Sequence, residues 1–159
     1  MDLLWDIFYF AKRLIAWIPI LWKDRDWDHT YFYTIMDFKL SRMEKESDTS
    51  IMAHINVGKQ IRYARFLIAR ILKDEYDSEH YRQLEAKWGP LQMDFHEDPD
   101  SQGKWGTIDM YWPKARAAGK DDEVSELSRK IDSDADAIRQ KDLDRLFRHM
   151  RKYVERWWI

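Results

Sequence analysis

Residues Trp22–Met43 read WKDRDWDHTYFYTIMDFKLSRM, and this stretch decides the fold class. Its apolar side chains recur every three or four residues, which is the period of an amphipathic helix. They are Trp27, Tyr31, Ile35 and Phe38, with Phe32, Met36, Leu40 and Met43 beside them. We therefore predict a long helix that begins within this stretch, runs to about Glu46 and is buried along one side.

Three aspartates at alternate positions, Asp24, Asp26 and Asp28, match the beginning of an EF-hand calcium loop. The complete loop needs glycine at its sixth position and glutamate at its twelfth, where this chain has His29 and Ile35. Calcium binding is therefore disfavoured. Carboxylates at a helix start are favoured for a simpler reason, because they accept hydrogen bonds from its free N–H groups.

The rest of the chain predicts a mainly α protein, a compact helical bundle. A third helix capped by Thr49 or Ser50 is expected to run to about Leu72, because short side-chain oxygens accept N–H groups at helix starts. A fourth is expected over 78–88, since the pair Gly89-Pro90 ends it. Between these helices and the C-terminal ones, residues 91–119 are predicted to form a small β-hairpin or ordered loop insertion.

The C-terminal segment 121–158 is again helical in pattern. One apolar face contains Val124, Leu127, Ile131, Ala135 and Ile138, and another contains Leu143, Phe147, Met150, Val154 and Trp157. The two faces are out of phase near Lys141. Either two helices meet there, with Asp142 as the cap, or one long helix changes the surface on which it packs.

Composition limits the class of protein. The 159 residues suit one domain, 1–159, with 45% apolar and 35% charged residues. The absence of cysteine excludes disulfides, thiolate metal sites and a cysteine nucleophile, and it fits a reducing cytoplasm. A net charge of −2 disfavours an extended nucleic-acid partner. Nine tryptophans exceed the needs of a core, so we expect some to contact a partner, including another subunit of a homo-oligomer.

The N-terminal segment 1–22 is almost as long as a membrane-spanning helix. Asp6, Lys12 and Arg13 make insertion unfavourable by about 2.5–3.5 kcal/mol each at the bilayer centre. Asp2, Asp6, Tyr9 and Arg13 also form one polar stripe beside a wide apolar face. The segment is therefore interpreted as an amphipathic docking helix that packs on its own domain, with a membrane-surface or partner-binding helix as the alternative.

Basic side chains recur at helical spacing in two helices, and they define the candidate ligand site. Guanidinium groups bind phosphate oxygens in pairs, and aromatic rings stack on bases. The candidates for phosphate are Lys59, Arg62 and Arg65 in the third helix and Arg145, His149 and Lys152 in the last, with Tyr63, Trp27 or Tyr33 for stacking. The alternative is that these positions are ordinary solvent-exposed helix faces.

No catalytic motif is present, and no catalytic residue, metal ligand or cofactor is assigned. The acidic segment from Asp74 to Glu79 has a spacing like that of the magnesium ligands in helical nucleotide pyrophosphohydrolases. A chain with 29 acidic residues produces such spacings by chance. A solvated segment, or one that faces the basic helix before it, is the favoured interpretation.

Two segments resemble a family. WKDRDWDHTYFYTIMDFKLSRM and KDLDRLFRHMRKYVERWW are similar to the two ends of small helical proteins encoded by tailed bacteriophages, which close on paired tryptophans. The resemblance implies a phage origin and a location in the cytoplasm of the infected bacterial host. It implies no reaction.

The residues and the resemblance together lead to three hypotheses. The first is a non-catalytic phage binding protein that sequesters a small anionic nucleotide used as an immune signal, an analogy with other phage anti-defence proteins. The second is a protein-interaction module that uses the N-terminal helix and the tryptophans, as a structural oligomer or an inhibitor of a host protein. The third is a magnesium-dependent nucleotide hydrolase around the acidic segment.

Overall fold

The computed structural model describes residues 3–23, 28–49, 55–97 and 105–157. The fold is mainly α with one small antiparallel hairpin, as the sequence predicts. In chain order the elements are α1 (Leu3–Leu21), α2 (His29–Thr49), α3 (Ile55–Lys73), α4 (Ser78–Trp88), β1 (Gln92–Glu97), β2 (Gly106–Tyr111), α5 (Pro113–Ala117), α6 (Asp121–Tyr153) and a 3-10 turn (Val154–Trp157).

The start of α2 confirms a capping role for Asp28. Its Oδ1 accepts hydrogen bonds from the backbone N–H of Thr30 at 2.9 Å and from the Thr30 hydroxyl at 2.6 Å. The backbone bond satisfies one of the free N–H groups of the first turn. Asp24 and Asp26 lie outside the described residues.

The junction between α2 and α3 differs from the prediction. Thr49 is the last residue of α2 and not a cap of α3, which begins at Ile55. Ser50 lies outside the described residues. The end of α4 is as predicted, because Gly89 follows Trp88 with φ +83° and ψ 174°, a backbone conformation that is almost restricted to glycine.

The chain groups into two compact units. One contains the residues up to Lys73 together with those from Asp142 onward, and the other contains Asp74–Lys141. The prediction of one domain over 1–159 stays a prediction. Each unit has its own buried cluster of apolar side chains.

The first cluster joins α2, α3 and the end of α6 within the first unit. It consists of Leu40, Ile61, Ala64, Leu67, Ile68, Ile71, Leu146 and Trp157. Trp157 also donates from Nε1 to Oε1 of Gln60 at 3.0 Å. Burial of these side chains drives the packing, since each large aliphatic side chain removed from water contributes about 1.5–3 kcal/mol.

The second cluster lies within the second unit and joins α4, α5 and the first part of α6. It consists of Leu84, Trp112, Ala115 and Val124, with Tyr81, Trp88, Leu91 and Ile131 packed against it. Pro113 is the first residue of α5, where the missing N–H of proline costs the helix no hydrogen bond.

The C-terminal segment is one continuous helix, α6, followed by the 3-10 turn. Its first part contributes to the second cluster and its last part to the first, so the alternative of a helix that changes its packing surface is correct. Four positions differ from the predicted faces. Leu127, Ile138 and Phe147 stay exposed, and Leu146, which the predicted faces did not include, is fully buried.

Candidate functional site

Two arginines of the predicted ligand site are held by carboxylates of α2. Arg65 donates from Nε to Oδ1 of Asp37 at 2.8 Å and from Nη1 to Oε2 of Glu44 at 2.5 Å. Nη1 of Arg62 lies 3.5 Å from Oε1 of Glu44. The hydrogen bond to Asp37 raises the pKa of Arg65. The guanidinium charges are thus balanced by acids of the protein itself, which weakens their attraction for phosphate.

Arg145 is also paired within the protein. Its Nη1 lies 3.2 Å from Oδ1 of Asp142, and Nη2 of Arg70 lies 3.0 Å from Oδ2 of the same carboxylate. The side chain of Asp142 is buried, whereas both guanidinium groups are partly exposed. The carboxylate is therefore a structural counter-ion for one residue of α3 and one of α6.

The structure brings His149 and Tyr63 together, as a shared ligand site requires. Their ring centroids lie 4.9 Å apart in an edge-to-face arrangement. The centroid of His149 also lies 4.8 Å from that of Tyr153 and 6.1 Å from that of Trp157. Nε2 of His149 lies 2.9 Å from the carbonyl oxygen of Gln60, and since a carbonyl only accepts, Nε2 carries the proton.

The remaining residues of the predicted ligand site are not seen in contact with the rings of Tyr63 and His149. Lys59 and Lys152 are exposed, and Nζ of Lys152 lies 5.0 Å above the ring of Tyr153. Tyr33 is half-buried and packs against the first cluster. Trp27 lies outside the described residues. A shared site for phosphate and base therefore stays a prediction.

The acidic segment pairs with a basic residue of its own unit. Nε of Arg139 lies 3.4 Å from Oδ1 of Asp74, and a cavity of about 200 Å³ beside them is lined by Asp77, Asp132 and Asp136 among others. Within the described residues, no group of three or more His, Asp or Glu side chains has the arrangement of a metal site. Arg139 belongs to α6 and not to the basic helix α3 before the segment, so a pairing with α3 stays a prediction.

The largest exposed apolar surface belongs to α1, which the sequence favoured as packing on its own domain. Only its last turns are seen to do so: the ring of Trp17 lies 4.7 Å from that of Phe38, and the Tyr31 hydroxyl donates to the carbonyl oxygen of Ile20. Before them, every residue from Leu4 to Ile15 is exposed. Leu4 is 79% exposed.

The orientation of α1 accounts for this exposure. At 100° per residue, Asp6, Tyr9 and Arg13 lie on the same side of the helix as Ala16, Trp17 and Ile20, which are partly buried. The polar stripe therefore runs along the side that contacts α2. The opposite half of the helix is apolar, with Lys12 at its edge, and its exposed residues are Leu4, Ile7, Phe8, Leu14, Ile15, Ile18 and Leu21. We call these seven residues the α1 face.

The hairpin presents a second exposed apolar surface. Its register pairs Met93 with Met110 and Phe95 with Ile108, and all four side chains lie on one side of the two strands and are more than half exposed. The apolar residues of both strands alternate, which is the pattern of a one-sided surface, but this surface was not among the predictions.

The other side of the hairpin is fixed to its unit by Arg116. The guanidinium lies 3.6 Å over the ring of Tyr111 and bonds to Asp109 at 2.9 Å and to Asp121 at 3.2 Å. The Tyr111 hydroxyl donates to Asp94 at 2.9 Å, which raises the pKa of the phenol. The polar side is thus occupied by internal contacts, while the apolar side is open.

None of the helices in the described part of the chain combines the length and apolar content needed to cross a bilayer. Comparison with protein-family models, with curated proteins and with solved structures finds no match to this chain. Function is therefore argued from the surfaces of the molecule alone.

Proposed function

We propose that this protein is a protein-interaction module whose binding surface is the α1 face. The observation that carries the proposal is the orientation of α1, with its apolar half turned away from the contact with α2. A surface helix that packs on its own domain buries its apolar side and exposes its charged side. Exposed apolar patches of this extent are typical of surfaces that another molecule covers.

Two further observations support an interaction role. The open side of the hairpin is a separate apolar surface, built on strands whose polar side is already fixed by Arg116. The arginines Arg62, Arg65 and Arg145 form ion pairs inside the protein, which favours a role in stability over a role in ligand capture. From the resemblance at its two ends, we place this role in the cytoplasm of a bacterium infected by a tailed phage.

A substitution in the α1 face tests the proposal. Leu14→Glu places a charge at a half-exposed position of a helix, where glutamate is compatible with the backbone. Leu127→Glu in α6 is a matched control, because Leu14 and Leu127 are 48% and 46% exposed. We expect an immobilised chain to retain a polypeptide, either a second copy or a protein of a bacterial extract, and to lose it with Leu14→Glu only.

Circular dichroism of both variants checks that the helices are intact. Equal retention by the wild-type chain and by Leu14→Glu would contradict the proposal, because the bound polypeptide would then use another surface. If the wild-type chain retained neither its own copies nor any protein of the extract, the proposal would be contradicted as well.

Nucleotide capture is the second candidate, and the contact between Tyr63 and His149 favours it. Tyr63 is 43% exposed, so its ring can still accept a base, and Lys59 and Lys152 are exposed cations of the same two helices. A thermal-shift screen with cyclic and ADP-ribose nucleotides tests it, since a ligand at 100 times its Kd adds about 2.7 kcal/mol to stability. We expect Tyr63→Ala to abolish any shift. A shift that survives this substitution would exclude the ring pair as the site.

A further inference from the structure

We infer that the α1 face binds a second copy of the same chain, and that two α1 helices pack against each other in antiparallel orientation. The inference rests on the proposed function, because it names the polypeptide that covers the α1 face. Three properties of the helix carry it: the spacing of the apolar residues, the area they expose and the sizes of the side chains along the seam.

The spacing is that of a helix that packs on another helix. Leu4, Ala11 and Ile18 follow each other at intervals of seven, and so do Ile7, Leu14 and Leu21. These are the a and d positions of three heptads, the pattern by which one helix inserts its side chains between those of another. Phe8 and Ile15 extend this seam on one side, which widens the contact surface.

The exposed area matches the needs of a stable dimer. The seven residues of the α1 face are each between 48% and 79% exposed. At roughly 200 Å² for a large side chain, they leave on the order of 800 Å² of apolar surface in water. A typical specific interface buries about 800 Å² on each partner. One face of this size therefore suffices when a second copy supplies an identical face.

Side-chain size selects the antiparallel orientation. In an antiparallel pair centred on Tyr9, Leu4 lies opposite Leu14 of the second copy, and Ile7 lies opposite the small Ala11. A parallel pair would place Ala11 opposite its own counterpart, which leaves a gap in the seam. The twofold arrangement is also self-complementary, as dimers require.

A lipid surface fits the helix less well. Helices that lie on membranes carry a strongly charged polar side rich in lysine and arginine. The charged residues of α1 are only Asp6, Lys12 and Arg13, and its polar side continues into Trp17 and Ile20, which contact α2. This side is therefore occupied in part by the protein itself and is not rich in cations.

Molecular mass in solution tests the dimer. The full chain is measured by sedimentation equilibrium between about 1 and 50 μM, a range that reports interfaces of this size. We expect a dimer for the wild-type chain and for Leu127→Glu. Leu14→Glu should raise the dissociation constant at least tenfold, because each copy places a charge in the apolar seam.

Cysteine cross-linking tests the orientation. The chain has no cysteine, so single substitutions give an unambiguous signal. A mixture of Leu4→Cys chains and Leu14→Cys chains should form a mixed disulfide under mild oxidation. Leu4→Cys alone should form little, because the two copies of residue 4 lie about 15 Å apart along an antiparallel pair. Efficient cross-linking of Leu4→Cys with itself would overturn the orientation.

The remaining outcomes separate this inference from the proposed function. A monomeric wild-type chain that retains a foreign protein through Leu14 overturns the inference and leaves the interaction role in place. A monomeric chain that binds vesicles of anionic lipid through Leu14 overturns both. A dimer that Leu14→Glu leaves intact overturns the inference, since the copies then meet through another surface.

Discussion

Asp142 shows how much of a residue's role depends on its neighbours. In the sequence it is one of many acids in α6 and a candidate cap between two helices. In the structure the helix continues through it, and its fully buried side chain accepts from Arg70 and Arg145. A buried carboxylate with such partners stabilises the fold only while the partners remain.

Replacing Asp142 by asparagine should therefore lower the free energy of unfolding by about 1.5–3 kcal/mol, the range for hydrogen bonds to charged groups. The value should not reach the larger cost of a buried unpaired charge, because Arg70 and Arg145 are partly exposed and regain water. Urea denaturation measures the change. Asp134→Asn, at an exposed position of the same helix, is the control and should change stability by less than about 0.5 kcal/mol.

The candidate ligand site shows the same dependence at the level of single residues. Spacing alone groups Lys59, Arg62 and Arg65 on one helix, and this part of the prediction follows from the period of 3.6. Spacing says nothing about Asp37 and Glu44, which approach from another helix and bind the two arginines. The neighbours of a side chain across helices are set by packing, and the sequence pattern of one helix does not contain them.

At the scale of elements, α4 and α6 are joined by a polar contact as well as by apolar packing. The Tyr81 hydroxyl donates to Oδ1 of Asp132 at 2.6 Å and lies 2.9 Å from Oγ of Ser128. Burial, followed by the hydrogen bond to Asp132, raises the pKa of Tyr81 above the usual 10. The neutral phenol is thus the form that this contact favours.

The stability of the second cluster should consequently depend on pH above 10. A raised pKa gives a contribution that is complete below the pKa of the unfolded chain, about 10, and is lost as pH rises through the higher folded value. Tyr81→Phe should lower the free energy of unfolding by about 0.5–1.5 kcal/mol at pH 7. The difference in the free energy of unfolding between the wild-type chain and Tyr81→Phe should shrink above pH 10. A difference that stays constant from pH 7 to 11 would contradict this assignment.

At the scale of the whole molecule, two buried clusters stabilise different sets of elements. Ile68 is fully buried in the first cluster and Leu84 is almost fully buried in the second. The helix α6 contributes to both, with Leu146 in the first and Val124 in the second. We therefore expect each set of elements to lose stability when a residue of its own cluster is truncated.

Paired truncations test this division. Ile68→Ala and Leu84→Ala should each cost about 2–5 kcal/mol, since both remove large buried side chains. Hydrogen exchange should then rise in α2, α3 and the end of α6 for Ile68→Ala, and in α4, α5 and the start of α6 for Leu84→Ala. An equal rise in all elements for both variants would show that the chain unfolds as one unit.

The sequence by itself determined the mainly α class and the approximate ends of α2 and α4, and it left open a hairpin or a loop for 91–119 and one or two helices at the C-terminal end. Periodicity, the Gly89-Pro90 pair and the cap Asp28 are local properties, and local sterics and hydrogen bonding fix them without help from distant residues. The tertiary structure alone decided which side of α1 contacts α2, which arginines are paired and whether Leu146 or Phe147 is buried. Each of these depends on residues far away in the chain, whose approach a one-dimensional pattern does not specify.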